Sequence, residues 1–321
     1  MMLGQRADQE AIDEIREELG LNRSIFYQYA LYLNDLSPLS YHSLDKESPY
    51  FLDENKYKGV SLFETENYTF LLKKPYLRQS YQSRRRVSEI LLESLPETAI
   101  LALASILLAA ILGIFLGTLA ALFRDSFLDR FLLLIATSGM ALPSFFVGVI
   151  FAWLFGYLLT DLTGLNMSGS LYEVDDLGRG EYINWANLVL PALTLGIRPL
   201  SVVLQLSRNS LLDVLSMDYV RTARAKGLSN SVTLWKHALK NAMNPVVTAL
   251  SGMFASLMAG AVFVEIIFSW KGIGWEIVNA LEQYDLPIVM GAVLLIAIIF
   301  VLINIIVDVI YGLLDPRLRI K

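Results

Sequence analysis

Residues 98–123 read "TAILALASILLAAILGIFLGTLAALF", without a charged side chain from end to end. A helix needs about 20 apolar residues to cross the roughly 30 Å hydrocarbon layer of a bilayer, so this stretch is long enough to span one. Working outward, Phe131–Thr160, Ala242–Val264 and Leu286–Val307 meet the same standard. A fifth stretch, from about Ile183 to Leu206, "INWANLVLPALTLGIRPLSVVLQL", contains Arg198 and two prolines but is otherwise apolar, and it is counted as spanning. Composition agrees: 55% of residues are hydrophobic and 18% charged, outside the range of ordinary soluble domains. The net charge of −5 says little, because charge here is segregated by region. Cysteine is absent, which excludes disulfides, thiolate metal sites and cysteine nucleophiles. His42 and His237 are far apart in sequence with no carboxylate at ligand spacing, so no metal site is expected.

Lysine and arginine collect in the short loops that stay in the cytoplasm. "RDSFLDR" supplies Arg124 and Arg130 after the first span. Loop 161–182 is acidic, with Asp161, Glu173, Asp175, Asp176 and Glu181 against Arg179. Segment 208–241 is basic, with Arg208, Arg221, Arg224, Lys226, Lys236 and Lys240 against Asp213 and Asp218. Loop 269–285 is acidic again, and the tail carries Arg317, Arg319 and Lys321. The pattern puts 208–241 and the C-terminus in the cytoplasm, and residues 1–94 outside.

Nothing in residues 1–94 resembles an export signal, since "MMLGQRADQEAIDEIREELG" is charged and amphipathic. The expectation is therefore a further spanning helix upstream of Met1; an unmodified N-terminus at Met1 in protein from the native host would contradict it. Asp8 fits an N-cap, Ile12, Ile15 and Leu19 make one helical face, and Gly20 fits the stop, giving a short amphipathic helix. "SIFYQYALYLNDL" follows as an aromatic-rich continuation. Residues 37–76 show no steady period and read as an irregular or weakly β insertion. Arg84, Arg85 and Arg86 lie outside near a span, where contact with lipid phosphates suits them.

Within the basic segment, "SLLDVLSMDYVRTARAK" (210–226) is made of good helix formers with no breaker. Gly227 permits the left-handed residue that ends a helix, and Ser229 or Ser231 can cap the next, "VTLWKHALKNAM". A helix, a glycine turn and a second helix projecting from a membrane suit docking into a groove on a partner.

"YVRTARAKGLS" followed by "HALKNAMNPVVT" resembles the cytoplasmic signature of permease subunits of ATP-binding cassette (ABC) importers, in particular the peptide and nickel branch. "REELGLNRSIFYQYALYL", "LPALTLGIRPLSVVLQLSRNSLLDVL", "GAVFVEIIFSWKGIG" and "LLDPRLR" resemble other segments of that family, and the likeness covers roughly 4–36 and 77–321. Pro245 departs from the general permease signature by its later position, as in the peptide branch. Carried over residue by residue, the signature glycine falls on Gly227, the small residue before it on Ala223, and the ATPase-coupling helix on Asp218–Lys226, with Tyr219, Arg221 and Arg224.

The resemblance implies an all-α polytopic membrane protein of the type I ABC importer permease fold. An extracytoplasmic segment over 1–94 carries the insertion at about 37–76, and a permease domain over 95–321 carries the coupling loop at about 208–241. Its implied partners are a second permease subunit, two cytoplasmic ABC ATPase subunits, an extracytoplasmic substrate-binding protein and membrane lipid, with no nucleic acid. The chain contains no Gly-Lys pair and hence no P-loop, so ATP and magnesium belong on the partner ATPase and the chain is not itself an enzyme. Arg198 and Glu265 are candidates for the pathway or a gate, because an ionisable group in hydrocarbon must be paired or wet; Asp308 reads as a packing or hydrated residue near a span end. Scarce histidine favours peptide over nickel as cargo. The rival class is a self-contained secondary transporter or channel, which would call for an internal repeat that is not visible. A membrane-bound protease would need a Ser/His pair or an HExxH, and neither is present.

Overall fold

The computed structural model describes residues 22–45, 48, 50–53, 56–175 and 180–314. The helix expected over 8–20, the acidic and basic pair Asp176 and Arg179, and the tail Arg317, Arg319 and Lys321 lie outside the described residues, as does the side chain of Asp308. Packing divides the chain into two compact units: Met1–Leu92 with Ala280–Gly291, and Glu93–Asn279 with Ala292–Lys321.

In the first unit, helix α1 (Ile25–Leu36) starts at Ser24, whose Oγ accepts from the Tyr27 amide. Three strands, β1 (Leu39–Ser43), β2 (Gly59–Glu64) and β3 (Tyr68–Lys73), then form an antiparallel sheet with β3 in the middle. The expectation of an irregular or weakly β insertion is thus replaced by a paired sheet. Its period of two is hidden in the sequence because the usual polarity is not kept: Thr69, Leu71 and Lys73 point inward while Tyr68, Phe70 and Leu72 are exposed.

Asp35, buried at the end of α1, is the hub of this unit. Its carboxylate accepts from Tyr57 Oη (2.7 Å) and Arg78 Nε (2.8 Å), while its backbone carbonyl accepts from Lys73 Nζ and the Tyr76 amide. Burial pulls the Lys73 ammonium below its ordinary pKa, with Asp35 opposing, and burial pushes the Tyr57 phenol up, with Asp35 adding to it. His42 is also buried, its Nε2 2.9 Å from Ser40 Oγ and its ring 4.4 Å from that of Tyr57. In the same unit Asp285 accepts from Ser80 Oγ and from the Tyr81 and Gln82 amides.

Among the described residues, three helices are long and apolar enough to cross a membrane: α2 (Val87–Leu122), α5 (Ala186–Leu215) and, within α10 (Leu286–Leu314), Leu286–Val307. Counting each of two bent pairs as one broken span brings the number to the five expected: α3 (Phe127–Ala141) with α4 (Ser144–Trp153), which runs on as a π turn to Leu158, at 109°, and α7 (Asn244–Gly260) with α8 (Val262–Phe268) at 60°. Pro143, which has no N–H to give the preceding turn, stands at the first bend as the N-cap of α4.

Helix α5 is the core of the second unit. Its most apolar stretch is 61% buried, against 28% and 22% for those of α2 and α10, because α3, α4, α7 and α8 all pack on it. Leu190, Ala192 and Leu195 of α5 share one apolar cluster with Val264, Phe268 and Trp270, and Leu204 shares another with Leu132 and Ala136 of α3. Helix α2 approaches at Gly117, where a methyl group would fall 2.5 Å from the carbonyl oxygen of Leu204; this is the close helix contact that small residues permit in membranes. Between α4 and α5 lies the hairpin of β4 (Tyr172–Val174) and β5 (Glu181–Ile183).

Candidate functional site

Helix α6 (Asp218–Ala225) follows α5 after a two-residue break. Its sequence alternates apolar and polar residues at helical spacing, so one face is driven inward. Val220 is wholly buried, in an apolar cluster with Ala121, Leu211, Val214, Leu234 and Ala238, and Ala223 is buried too. Asp218, Tyr219, Arg221, Arg224, Lys226 and Gly227 are exposed. Tyr219 is steadied from the following segment, where Asn241 Nδ2 donates to its oxygen at 2.9 Å.

The helix ends as a glycine turn. Gly227 has φ +80°, and its amide donates to the Arg224 carbonyl (2.9 Å) while the Leu228 amide donates to the Ala223 carbonyl (3.3 Å). These are the two bonds of a Schellman cap, which needs a left-handed residue at its centre. Open space surrounds the position, so conformation and not volume demands glycine there. Ser229 caps the next turn, accepting from the Val232 amide. That segment runs as Asn230–Val232, a π turn Thr233–Ala238 and Leu239–Ala242 before α7, which has Pro245 in its first turn. Of the seven expected coupling residues, five thus lie on α6, and Lys226 and Gly227 form the turn that ends it. Ala223 is the exception in orientation: it faces the protein's own core and lets α6 seat closely.

Arg208, read from sequence only as loop charge, is a fastener. Its Nε and Nη2 hold both oxygens of Asp129 at 2.6 and 2.7 Å, joining the end of α5 to the first turn of α3. Asp129 also accepts from the Asp125 amide, and its own amide donates to Ser126 Oγ. The sequence signal for this is the capping pattern Ser126-x-x-Asp129, which marks a helix start.

Glu265 is completely buried. Its Oε1 accepts from Thr98 Oγ1 (2.8 Å) and its Oε2 from the Trp275 amide (3.0 Å), at the start of α9 (Ile273–Glu282). Thr98 Oγ1 in turn accepts from the Ile273 amide, and a methyl at Gly272 would fall 2.5 Å from Glu265 Oε1. Beside it, Trp270 Nε1 donates to the Glu97 carbonyl (3.0 Å), and the Glu97 carboxylate accepts from Ser170 Oγ. Glu265 therefore ties α2 to the segment after α8. Its two oxygens are thus occupied by the Thr98 hydroxyl and the Trp275 amide. Nearby, Glu173 accepts from Asn184, Asn187 and Tyr182, and these hydrogen bonds, that of Asn184 foremost, hold its pKa below the usual carboxylate value.

Arg198 stands apart from both clusters. It lies in mid-α5, exposed, and among the described residues it has no hydrogen bond or ion pair.

The sequence of residues 113–320 matches the family described as binding-protein-dependent transport system inner membrane component. The dipeptide transport system permease protein DppB of Alkalihalophilus pseudofirmus is 30% identical over 99% of this chain and 89% of its own length. The di/tripeptide permease DppB of Pseudomonas aeruginosa is 38% identical over 76% of each chain, and the glutathione permease GsiC of Escherichia coli 31% identical over 100% of this chain and 88% of its own. Among solved structures, a chain of the MetNI methionine ABC transporter in an inward-facing conformation superposes with a TM-score of 0.56 at 17% identity, over 71% of this chain and 97% of that one, a likeness of fold. With α3, α4, α7 and α8 packed on a central α5, the fold is that of the type I ABC importer permeases, and the chain belongs to the family of binding-protein-dependent transport system inner membrane components.

Proposed function

We propose that this chain is a pathway-forming permease subunit of an ATP-driven peptide importer. It pairs with a second permease, docks two cytoplasmic ABC ATPases through Asp218–Gly227, and receives di- or oligopeptide cargo from an extracytoplasmic binding protein. ATP and magnesium act on the ATPase, and this chain performs no chemistry of its own. The observation that carries the reading is α6: a short helix anchored by Val220 and Ala223, with Asp218, Tyr219, Arg221, Arg224 and Lys226 turned outward. Such an element transmits force because its inner face is fixed to the ends of α2 and α5 while its outer face is free for a partner. The names of the relatives support peptide cargo. The distribution of lysine and arginine supports a cytoplasmic position for 208–241 and for the C-terminus in the inner membrane.

On this reading, closure of the ATPase dimer moves α6, and the spans shift between outward and inward access, a two-state change biased by nucleotide. The test is gentle purification of the tagged protein from its native host, with ATPase activity measured for wild type and Gly227→Arg. ATPase subunits that accompany the wild type and are lost from the variant would support docking at α6. A wild-type preparation without ATPase that transports on an ion gradient alone would replace the reading with a secondary transporter.

A further inference from the structure

Helix α5 is covered unevenly along its length. Asn187, Pro191 and Thr194 are buried, yet Arg198 and Asn209, which follow on the same face at helical spacing, are exposed, and Val202 and Gln205 between them are half-buried. At about 1.5 Å per residue, Arg198 lies about 18 Å from Ala186 and about 15 Å from Arg208, near the middle of the layer the helix crosses. A guanidinium that deep is costly unless it meets water or an anion. Among the described residues it meets no carboxylate, whereas Arg208 on the next polar level is satisfied by Asp129. An apolar span with Arg198, Gln205 and Asn209 along one partly uncovered face suits an aqueous path better than lipid.

Resting on the peptide-permease reading, we propose that the face of α5 carrying Arg198, Gln205 and Asn209 lines the cytoplasmic half of the pathway, and that Arg198 is where the C-terminal carboxylate of a passing peptide pairs. The chemistry fits: guanidinium presents two parallel donors to a carboxylate, and a peptide reaching mid-membrane carries that group in ionised form. One exposed arginine, with amide side chains beyond it, binds an anionic end without trapping it.

The chain's lack of cysteine makes the first test direct. Single cysteines at Arg198, Gln205 and Asn209, in the assembled transporter with cysteine-free partners, are exposed in inside-out vesicles to a charged methanethiosulfonate. Because the reagent needs a hydrated thiolate, each is expected to label at least about tenfold faster than cysteine at buried Leu204 or at Ile111, which is exposed on apolar α2. No labelling, with disulfide cross-links between two permease subunits instead, would make the face a subunit interface and overturn the proposal.

The second test compares uptake of a dipeptide with uptake of its C-terminal amide, the binding protein being unchanged. Wild type is expected to favour the acid; Arg198→Gln is expected to shrink that preference by about tenfold, the scale of one charge-assisted contact, and Arg198→Lys to keep most of it. An unchanged preference in Arg198→Gln overturns the carboxylate role. If Arg198→Gln carries neither form, Arg198→Lys decides: a kept preference sustains the role, and equal handling of acid and amide overturns it. Labelling does not depend on cargo, so a wild-type complex that labels as expected but carries no peptide refutes the peptide reading and the carboxylate role while leaving the water-lined face in place.

Discussion

Two aspartate–arginine pairs bracket the turn from α5 into α6, and they do opposite things. Asp129 and Arg208 meet through two short bonds, with side chains only 2% and 14% exposed. Asp218 and Arg221 are 3.7 Å apart, with side chains 97% and 73% exposed. The same chemistry fixes the frame in one place and leaves charges available to a partner in the other. Burial makes the difference: a buried pair must be complete, because either member alone is an uncompensated charge, while an exposed pair is replaceable by water.

The sharpest way to break this contrast is Asp129→Ala. Removing one partner of a buried ion pair costs on the order of 3–5 kcal/mol, so the detergent-purified variant should unfold far earlier than wild type on heating. Replacing both partners, Asp129→Leu with Arg208→Met, should recover most of the loss. A single variant that melts like wild type would mean that Arg208 finds water, and that the pair is no more than a surface contact.

Next in size is Gly227→Val. A β-branched residue at φ +80° is strained by about 1–2 kcal/mol, and the strain falls on the Schellman cap. Hydrogen exchange at Gly227 and Leu228, whose amides form that cap, should quicken while the amides of α5 stay protected. Gly227→Ala should lie between. Unchanged exchange in both variants would show that the turn tolerates any residue and that glycine serves only the partner.

A smaller effect separates the sheet of the first unit from the β4–β5 hairpin by pH. Burial, with Lys73 adding and Asp35 opposing, holds His42 below its ordinary value of about 6.5. The unfolded state therefore binds more protons between the two values, and the stability His42 contributes is complete above about 6.5 and lost as pH falls through its folded pKa. Glu173 is depressed from a lower starting point, so its contribution persists until pH falls below about 4.3 and through its folded value. Hydrogen-exchange protection, each rate taken relative to the intrinsic rate at its own pH, should weaken at pH 5.5 against 7.5 in β1, β2 and β3 and stay level in β4 and β5, and His42→Phe should remove the difference.

The spans were legible because uncharged length is a local property, and so was the glycine turn, whose Ser229 and Gly227 act on neighbours a few residues away. What escaped reading was written across distance. Asp129 and Arg208 are 79 positions apart, and Thr98 and Glu265 are 167 apart; nothing near either residue announces its partner. The sheet escaped for another reason, since Lys73 and Thr69 take inward positions that an apolar pattern would assign to Leu or Val. Arg198 was legible as an oddity, and only the burial of its neighbours on α5 shows which way that oddity faces.

The smallest stability effect belongs to the exposed pair, and it is the most informative for docking. An ion pair at 3.7 Å with both partners in water is screened by salt and opposed by side-chain entropy. Asp218→Ala and Arg221→Ala should therefore leave the unfolding midpoint unchanged. Arg221→Glu should leave it unchanged as well, because Val220 and Ala223 hold α6 in place without help from its outer face. On the proposed docking role, however, charge reversal puts a carboxylate where the partner meets a cation, so ATPase retained on the purified protein should fall with Arg221→Glu while the melting curve stays put. Loss of both together would assign Arg221 to the frame, alongside Arg208, and the contrast between the two pairs would disappear. Retention of both would move the docking surface off Arg221, toward Arg224, Lys226 and the turn at Gly227.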